Sequence, residues 1–297
     1  MIRSGFVNII KPTGASSSNI VCMVTKILKE KKVGHLGTLD PAASGVLPIA
    51  FGKATKFFDY FLKKDKEYVA VVKFGVETDT LDSFGLITKT EDVLIKKSDI
   101  QNVLSEFTGK IKQVPPKYSA LKIDGKKACD LARNGEDFSL KAREIDIYSI
   151  ELLGEEEKNV FRFKVHCSSG TYIRTLFNDI AKRLNSVSTT SIIIRTRSGR
   201  FNIKDAITPD EFEKSLQTIS VQELFSDLKT VNVKNEEVLK KLLNGVKLTY
   251  DDIKGAENGV TESFKDNTNF FITAGELLLG MYHFDKEKLI CDVFLAE

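Results

Sequence analysis

The chain has 297 residues, 42% hydrophobic and 29% charged, with a net charge of +3. That composition excludes a disordered chain and is ample for a self-supporting core, with room for one large domain and a small one. Cys22, Cys129, Cys167 and Cys291 form no C-x-x-C pair, and His35, His166 and His283 are equally dispersed, so no zinc site, disulfide framework or other metal is expected.

Phe6–Ile10 is apolar but interrupted by Asn8, too short for a signal-peptide core, and no later run approaches a membrane span. A soluble, cytoplasmic protein is expected. The stretch reads as a strand, followed by a Lys11-Pro12-Thr13-Gly14 turn and a helix from about Asn19 to Glu30. Gly45 to Lys53 ends in Gly52-Lys53, yet it is no phosphate-binding loop. Its first glycine is too far upstream, and Ala54 stands where a hydroxyl is required. Lys66–Val76 is expected as a strand with Tyr68 near its start. Ser98–Phe107 is expected as a helix opening on a capping serine and stopped by Gly109. Lys126–Arg133 reads as a further helix. Arg143–Leu153 and Asn159–Cys167 read as strands joined by an acidic turn at Glu155-Glu156-Glu157. Thr171–Leu184 is amphipathic through Ile173, Leu176, Phe177, Ile180 and Leu184, and Ser188–Ile194 is β-branched and strand-like. Paired strands with helices between them predict a mixed α+β sheet. After a helical stretch over Pro209–Phe225 the balance turns acidic. This sets a boundary near Thr230, with domains at 1–230 and 231–297, the second made of short strands and turns.

Charge is unevenly spread. Residues 1–56 carry eight Lys/Arg against two Asp/Glu, and residues 232–297 carry eight against twelve. Six of the nine arginines, Arg162, Arg174, Arg183, Arg195, Arg197 and Arg200, fall within 161–200. Such a cluster suits phosphate, since a guanidinium can bond two oxygens at once, or it is simply a solvated face.

Two stretches carry chemistry. Gly34-His35-Leu36-Gly37-Thr38-Leu39-Asp40-Pro41 is a glycine-punctuated loop whose carboxylate stands just before a proline, which biases it away from helical geometry. Read alone, Asp40 is a turn cap. In Cys167-Ser168-Ser169-Gly170-Thr171-Tyr172-Ile173-Arg174-Thr175 a strand ends, the chain turns and a helix begins. Arg174 there borders an apolar stripe, where an arginine usually pairs with a carboxylate.

Together these stretches resemble one family. G-H-x-G-T-L-D-P-x-A-x-G-x-L-P and C-S-x-G-T-Y-I-R-T are signatures of the TruB-type pseudouridine synthases, bacterial enzymes acting on the T-arm uridine at position 55 of tRNA. The resemblance covers most of residues 5–230. It includes the Lys11-Pro12-Thr13-Gly14 turn, Lys66-Glu67-Tyr68, Thr78-Asp79-Thr80-Leu81-Asp82, and Pro115-Pro116-Lys117-Tyr118-Ser119-Ala120-Leu121-Lys122. It implies the pseudouridine synthase fold, a mostly antiparallel sheet flanked by helices, with a small β-rich PUA-like domain from about Val231.

By the same resemblance Asp40 is the nucleophile and Arg174 its ion-pair partner. Tyr68 stacks on the flipped uracil, His35 occupies space near the extruded base, and Lys11 and Tyr172 support the pocket. Where the family has L-R-R-T this chain has Ile193-Ile194-Arg195-Thr196. Ile193 thus replaces a leucine beneath the target base and keeps the floor apolar, and Ile194 replaces one of two arginines. The acidic C-terminal part is expected to contribute packing more than RNA affinity, which depends on neutralised phosphates.

Pseudouridine formation breaks N1–C1′, turns the uracil and rejoins it through C5, so no redox cofactor is implied. It needs a carboxylate nucleophile, and the residues fit attack at C6 or at C1′ equally. The implied partner is the tRNA T-arm, read by shape, with no membrane, no obligatory protein partner and a monomeric chain. The competing readings are a non-catalytic tRNA-binding or tRNA-folding protein with the same fold, the guide-RNA branch of the superfamily, and a structural protein.

Overall fold

The computed structural model describes residues 4–123, 125–254 and 268–296. Residues 255–267, within the expected C-terminal domain, therefore lie outside the described residues.

The first strand, β1 (Gly5–Lys11), leads into α1 (Ser17–Leu28). Ser16 caps α1 by exchanging hydrogen bonds with Asn19, which starts the helix two residues before the expected Asn19. Strands β2 (Val33–His35) and β3 (Ser44–Phe51) flank a loop, and the one-turn helix α2 (Phe58–Leu62) precedes β4 (Lys66–Phe74). Gly75, at φ +83°, ends β4 two residues before the expected limit and opens the hairpin β5 (Val76–Thr78) and β6 (Ile87–Thr90). Helix α3 (Lys97–Leu104) is followed by β7 (Gly109–Gln113). Its cap is Lys96 with Asp99 rather than Ser98. The helix expected from Lys126 starts at Ala128: β8 (Lys122–Ile123) and β9 (Lys126–Lys127) form a hairpin ahead of α4 (Ala128–Arg133).

The acidic triplet makes no turn. Strand β10 runs over Arg143–Glu157 and the chain reverses beyond it, where Asn159 has φ 61° before β11 (Val160–Cys167). The three glutamates are exposed, so a strand end at the sheet margin carries them at little cost. Helix α5 (Ile173–Arg183) and strands β12 (Ser188–Ser198) and β13 (Phe201–Asn202) follow. The stretch expected as helical over 209–225 is two helices, α6 (Pro209–Ser215) and α7 (Val221–Leu224), separated where Leu216 turns left-handed. Beyond come β14 (Thr230–Asn232), α8 (Glu236–Leu243), α9 (Tyr250–Ile253), β15 (Phe270–Ala274), β16 (Leu277–Asp285) and β17 (Lys288–Phe294). The helices here were not expected. Asn235 caps α8 by accepting from the amides of Glu237 and Val238.

The main sheet has the order β1-β3-β12-β4-β11-β10-β7, with β2 on β3 and β13 on β12. Every pairing is antiparallel except β3 with β12, which meet in parallel only at Ile194↔Ser44 and Arg195↔Gly45. A second sheet has the order β14-β15-β16-β17. The fold is thus α+β, mostly antiparallel, with a small β-rich C-terminal part. No helix among the described residues is long and apolar enough to cross a membrane.

One core lies between the main sheet and its helices, joining Tyr68, Ala70 and Val72 to Ile20, Val24, Ile100, Phe177 and Phe212. A second, rich in phenylalanine, groups Phe6, Phe57, Phe61, Phe201 and Phe225 with Phe271, Met281, Val293 and Leu295. It therefore joins the two sheets, and each buried phenylalanine contributes roughly 1.5–3 kcal/mol.

Candidate active site

A cavity of about 400 Å³ opens where the β2–β3 loop, β4, β12 and the start of α5 meet, and Asp40, Tyr68, Tyr172, Arg174, Ile193 and Arg195 line it. Five of the seven residues singled out in the sequence are therefore brought together. Sheet register does part of this: Tyr68 stands opposite Arg195 and Ala70 opposite Ile193 on the neighbouring strand. Tyr68 and Ile193 are both buried and form apolar wall. The opposite edge of β4 pairs Tyr68 with Val165, so this tyrosine is held at mid-sheet.

Arg174 occupies the first turn of α5 and is 3% exposed, with Asp40 Oδ2 accepting from its Nη2 at 2.6 Å. The same guanidinium donates to the carbonyls of Thr80 (2.8 Å) and Tyr118 (3.0 Å) and lies 3.5 Å from Asp82 Oδ2. The cation is thus locked from several sides, while the Asp40 side chain keeps 35% exposure toward the cavity. Tyr172 precedes α5 and is fixed through its backbone, which exchanges two hydrogen bonds with the Gln113 side chain.

Lys11 and His35 are not among the residues lining the cavity. Lys11 is fully buried and donates to the carbonyls of Pro12 and Ala15 at 2.8 Å each and of Pro41 at 3.4 Å, tying its own turn to the one that follows Asp40. His35 ends β2, and its Nδ1 is buried without a hydrogen-bond partner.

Burial governs the ionisable groups. It pushes the Tyr68 phenol up to about 12 and raises that of Tyr172. It lowers Lys11 to about 8, against the opposing pull of Asp40, and lowers His35, with Arg195 acting in the same direction. Cys167, in the second motif, is pushed up to about 12 by burial and is an inert thiol.

Asp82 and Lys66 were given no role in the sequence, and Arg195 was read there only as one of the clustered arginines. Asp82 is buried, accepts from Thr80 Oγ1 and the Phe84 amide, and is a second carboxylate beside Arg174. Lys66 lines the cavity, donates to the carbonyls of Leu62 and Lys64 at the end of α2, and is held at about 8 by burial. Arg195 is 1% exposed and donates to three backbone carbonyls. Asp82 and Lys66 stood inside quoted motifs; only their burial marks them out.

The arginines clustered in sequence do not form one phosphate-binding face. Arg174 and Arg195 are buried. Arg162, Arg183 and Arg200 pair with Glu156, Glu106 and Asp227, and Arg197 bridges Asp65 and Glu67.

Residues 25–173 match the family described as TruB family pseudouridylate synthase (N terminal domain). The chain is 41% identical over 280 residues to tRNA pseudouridine synthase B of Clostridium kluyveri, covering 93% of this chain and 94% of that protein. It is 39% identical over 278 residues to the protein of the same name from Caldanaerobacter subterraneus subsp. tengcongensis, covering 93% and 95%. Among solved structures, a chain of a Cbf5-Nop10-Gar1 complex is similar with a TM-score of 0.69 and 28% identity, covering 100% of this chain and 85% of that one. A chain of an H/ACA RNP bound to a substrate RNA shares the fold at a TM-score of 0.69 and 24% identity. With its paired Asp40 and Arg174 in the cavity wall and this likeness along nearly its whole length, the chain belongs to the TruB family of pseudouridylate synthases.

Proposed function

We propose that this chain isomerises uridine to pseudouridine in tRNA, with the T-arm uridine at position 55 as its target and Asp40 as its nucleophile. The observation that carries this reading is the ion pair of a buried Arg174 with an Asp40 that still faces a cavity. Arg174 is already committed to carbonyls and to Asp82, so it holds Asp40 in one place rather than following it.

A uridine stacked in the T-arm must flip out to reach Asp40, at a cost of a few kcal/mol. Tyr68 offers a stacking face and Ile193 an apolar floor, both already buried, and these offset part of that cost. Tyr172 closes the wall beside Arg174. His35, at the end of β2 and with its pKa lowered by burial, is assigned to occupy space near the extruded base. Lys11 supports the turn after Asp40. Asp40 then bonds to C6 or C1′, N1–C1′ breaks and the uracil turns within the cavity; C5–C1′ forms, the bond to Asp40 is released, the proton leaves C5 and N1 takes one up.

Residues 1–230 form the catalytic domain in this reading, and residues 231–297 a PUA-like domain that mainly supports it. The chain acts as a monomer without an obligatory protein partner, in the cytoplasm. The test is tritium release from a T-arm transcript labelled at uracil C5, comparing wild type with Asp40→Asn. Release by wild type and none by the variant is expected. Tight tRNA binding without release by either protein would overturn the enzymatic reading.

A further inference from the structure

The β2–β3 loop that presents Asp40 contains no helix or strand between His35 and Ser44. The five carbonyls from Gly37 to Pro41 nevertheless each accept a hydrogen bond. Those of Gly37 and Thr38 accept from Arg195 at 3.2 and 3.1 Å, that of Leu39 from Ser17 Oγ at 2.9 Å, and that of Asp40 from the Ala43 amide at 3.1 Å. The Pro41 carbonyl accepts from the Gly14 amide at 2.8 Å and from Lys11. The loop is therefore held largely by side chains reaching in from β12, α1 and β1.

Arg195 differs from the others in reaching both ends of the loop. Besides Gly37 and Thr38 on the entering side, its Nε donates to the Val46 carbonyl at 2.7 Å, where the chain has joined β3. The backbone of Arg195 is bound to the same place. It pairs with Gly45, and a Cβ on Gly45 would lie only 2.3 Å from the Arg195 carbonyl oxygen. Its guanidinium donates to these three carbonyls and also lies beside the Tyr68 hydroxyl, and among the described residues no carboxylate pairs with it. A buried guanidinium without a counter-charge is a poor source of stability. Its planar fork, however, fixes three carbonyls in one plane, which a lysine ammonium cannot reproduce.

We propose that Arg195 is a positioning residue for catalysis, a staple across the β2–β3 loop that sets where Asp40 stands against the flipped base. This rests on the reading of Asp40 as nucleophile. Arg195 acts through Gly37 and Thr38 rather than on RNA, since almost none of its surface is accessible. Arg195→Lys keeps the charge and loses the fork. Arg195→Gln keeps two donors without the charge.

The experiment measures single-turnover tritium release and tRNA dissociation constants for wild type, Asp40→Asn, Arg195→Lys and Arg195→Gln, with urea unfolding of each. For Arg195→Lys the expected result is a rate loss of roughly 100-fold, as a displacement near 1 Å costs, with tRNA affinity unchanged and a cooperative unfolding transition retained. Equal losses of rate and affinity would make Arg195 an RNA contact and overturn the assignment, as would a rate equal to wild type. Failure of both Arg195 variants to fold would assign the residue to the core and overturn it too. If wild type itself releases no tritium, the Asp40 reading falls and this one with it. If wild type is active and Asp40→Asn is not, the Arg195 variants decide this proposal alone.

Discussion

Lys66 shows how a single residue records its surroundings. Its ammonium is buried beside the cavity, and burial, reinforced by Arg195, lowers it from 10.5 to about 8. Between those two values the unfolded chain binds a proton at this site that the folded chain has released. Stability contributed by Lys66 therefore rises with pH through that window, and below it the cost of burying the charge is fully present. We expect the urea midpoint of wild type to gain on that of Lys66→Met between about pH 8 and pH 10. A difference that stays level across the titration would show that Lys66 is no easier to deprotonate when folded. Asp40 and Arg174 were legible in the sequence because both sit in motifs with unusual glycine and proline punctuation. Asp82 was not, because its importance lies in being 3.5 Å from a guanidinium that the sequence places 92 residues away.

Among the elements, α2 is a single turn whose two faces differ. Phe57, just ahead of it, and Phe61 are buried in the phenylalanine-rich core, while Leu62 lines the cavity and is 41% exposed. Phe61 packs on Phe6, Phe201 and Phe225 with ring centroids 5.6, 5.2 and 5.8 Å away. An isolated turn has no stability of its own, so these contacts and the Lys66 bonds to its last carbonyl, that of Leu62, and to that of Lys64 just beyond hold it. Phe61→Ala should cost about 3–5 kcal/mol of unfolding free energy, the usual penalty for emptying an aromatic site. Chemical denaturation checks this, and a loss below about 1 kcal/mol would mean the core collapses around the gap. Strand and helix types along the chain followed hydrophobic period, but their ends did not. The break after β4 depends on Gly75 at positive φ, and the continuation of β10 through three glutamates depends on a partner strand.

At the scale of the whole molecule, the phenylalanine-rich core crosses the boundary near residue 230. Phe57 and Phe225 on one side meet Phe271, Met281, Val293 and Leu295 on the other, with Phe225 and Phe271 centroids 5.8 Å apart. Ending the chain at residue 230 would uncover these side chains. A 1–230 fragment is expected to unfold at lower urea than the full chain and to self-associate in sedimentation. An unchanged midpoint and a monomeric fragment would show that the catalytic part stands alone.

The sequence by itself determined the family, most strands and helices of the first 200 residues, and five residues of the cavity wall. Those features are written as local period and as motifs whose spacing a loop or helix turn preserves. Only the tertiary structure decided what holds the Asp40 loop, why Lys11 sits beneath it, and how the C-terminal sheet is attached. Each depends on a side chain meeting backbone or core far along the chain. Arg195, donating to Val46 and Thr38 across 149 and 157 residues, leaves no periodic mark that a reader of the sequence could find.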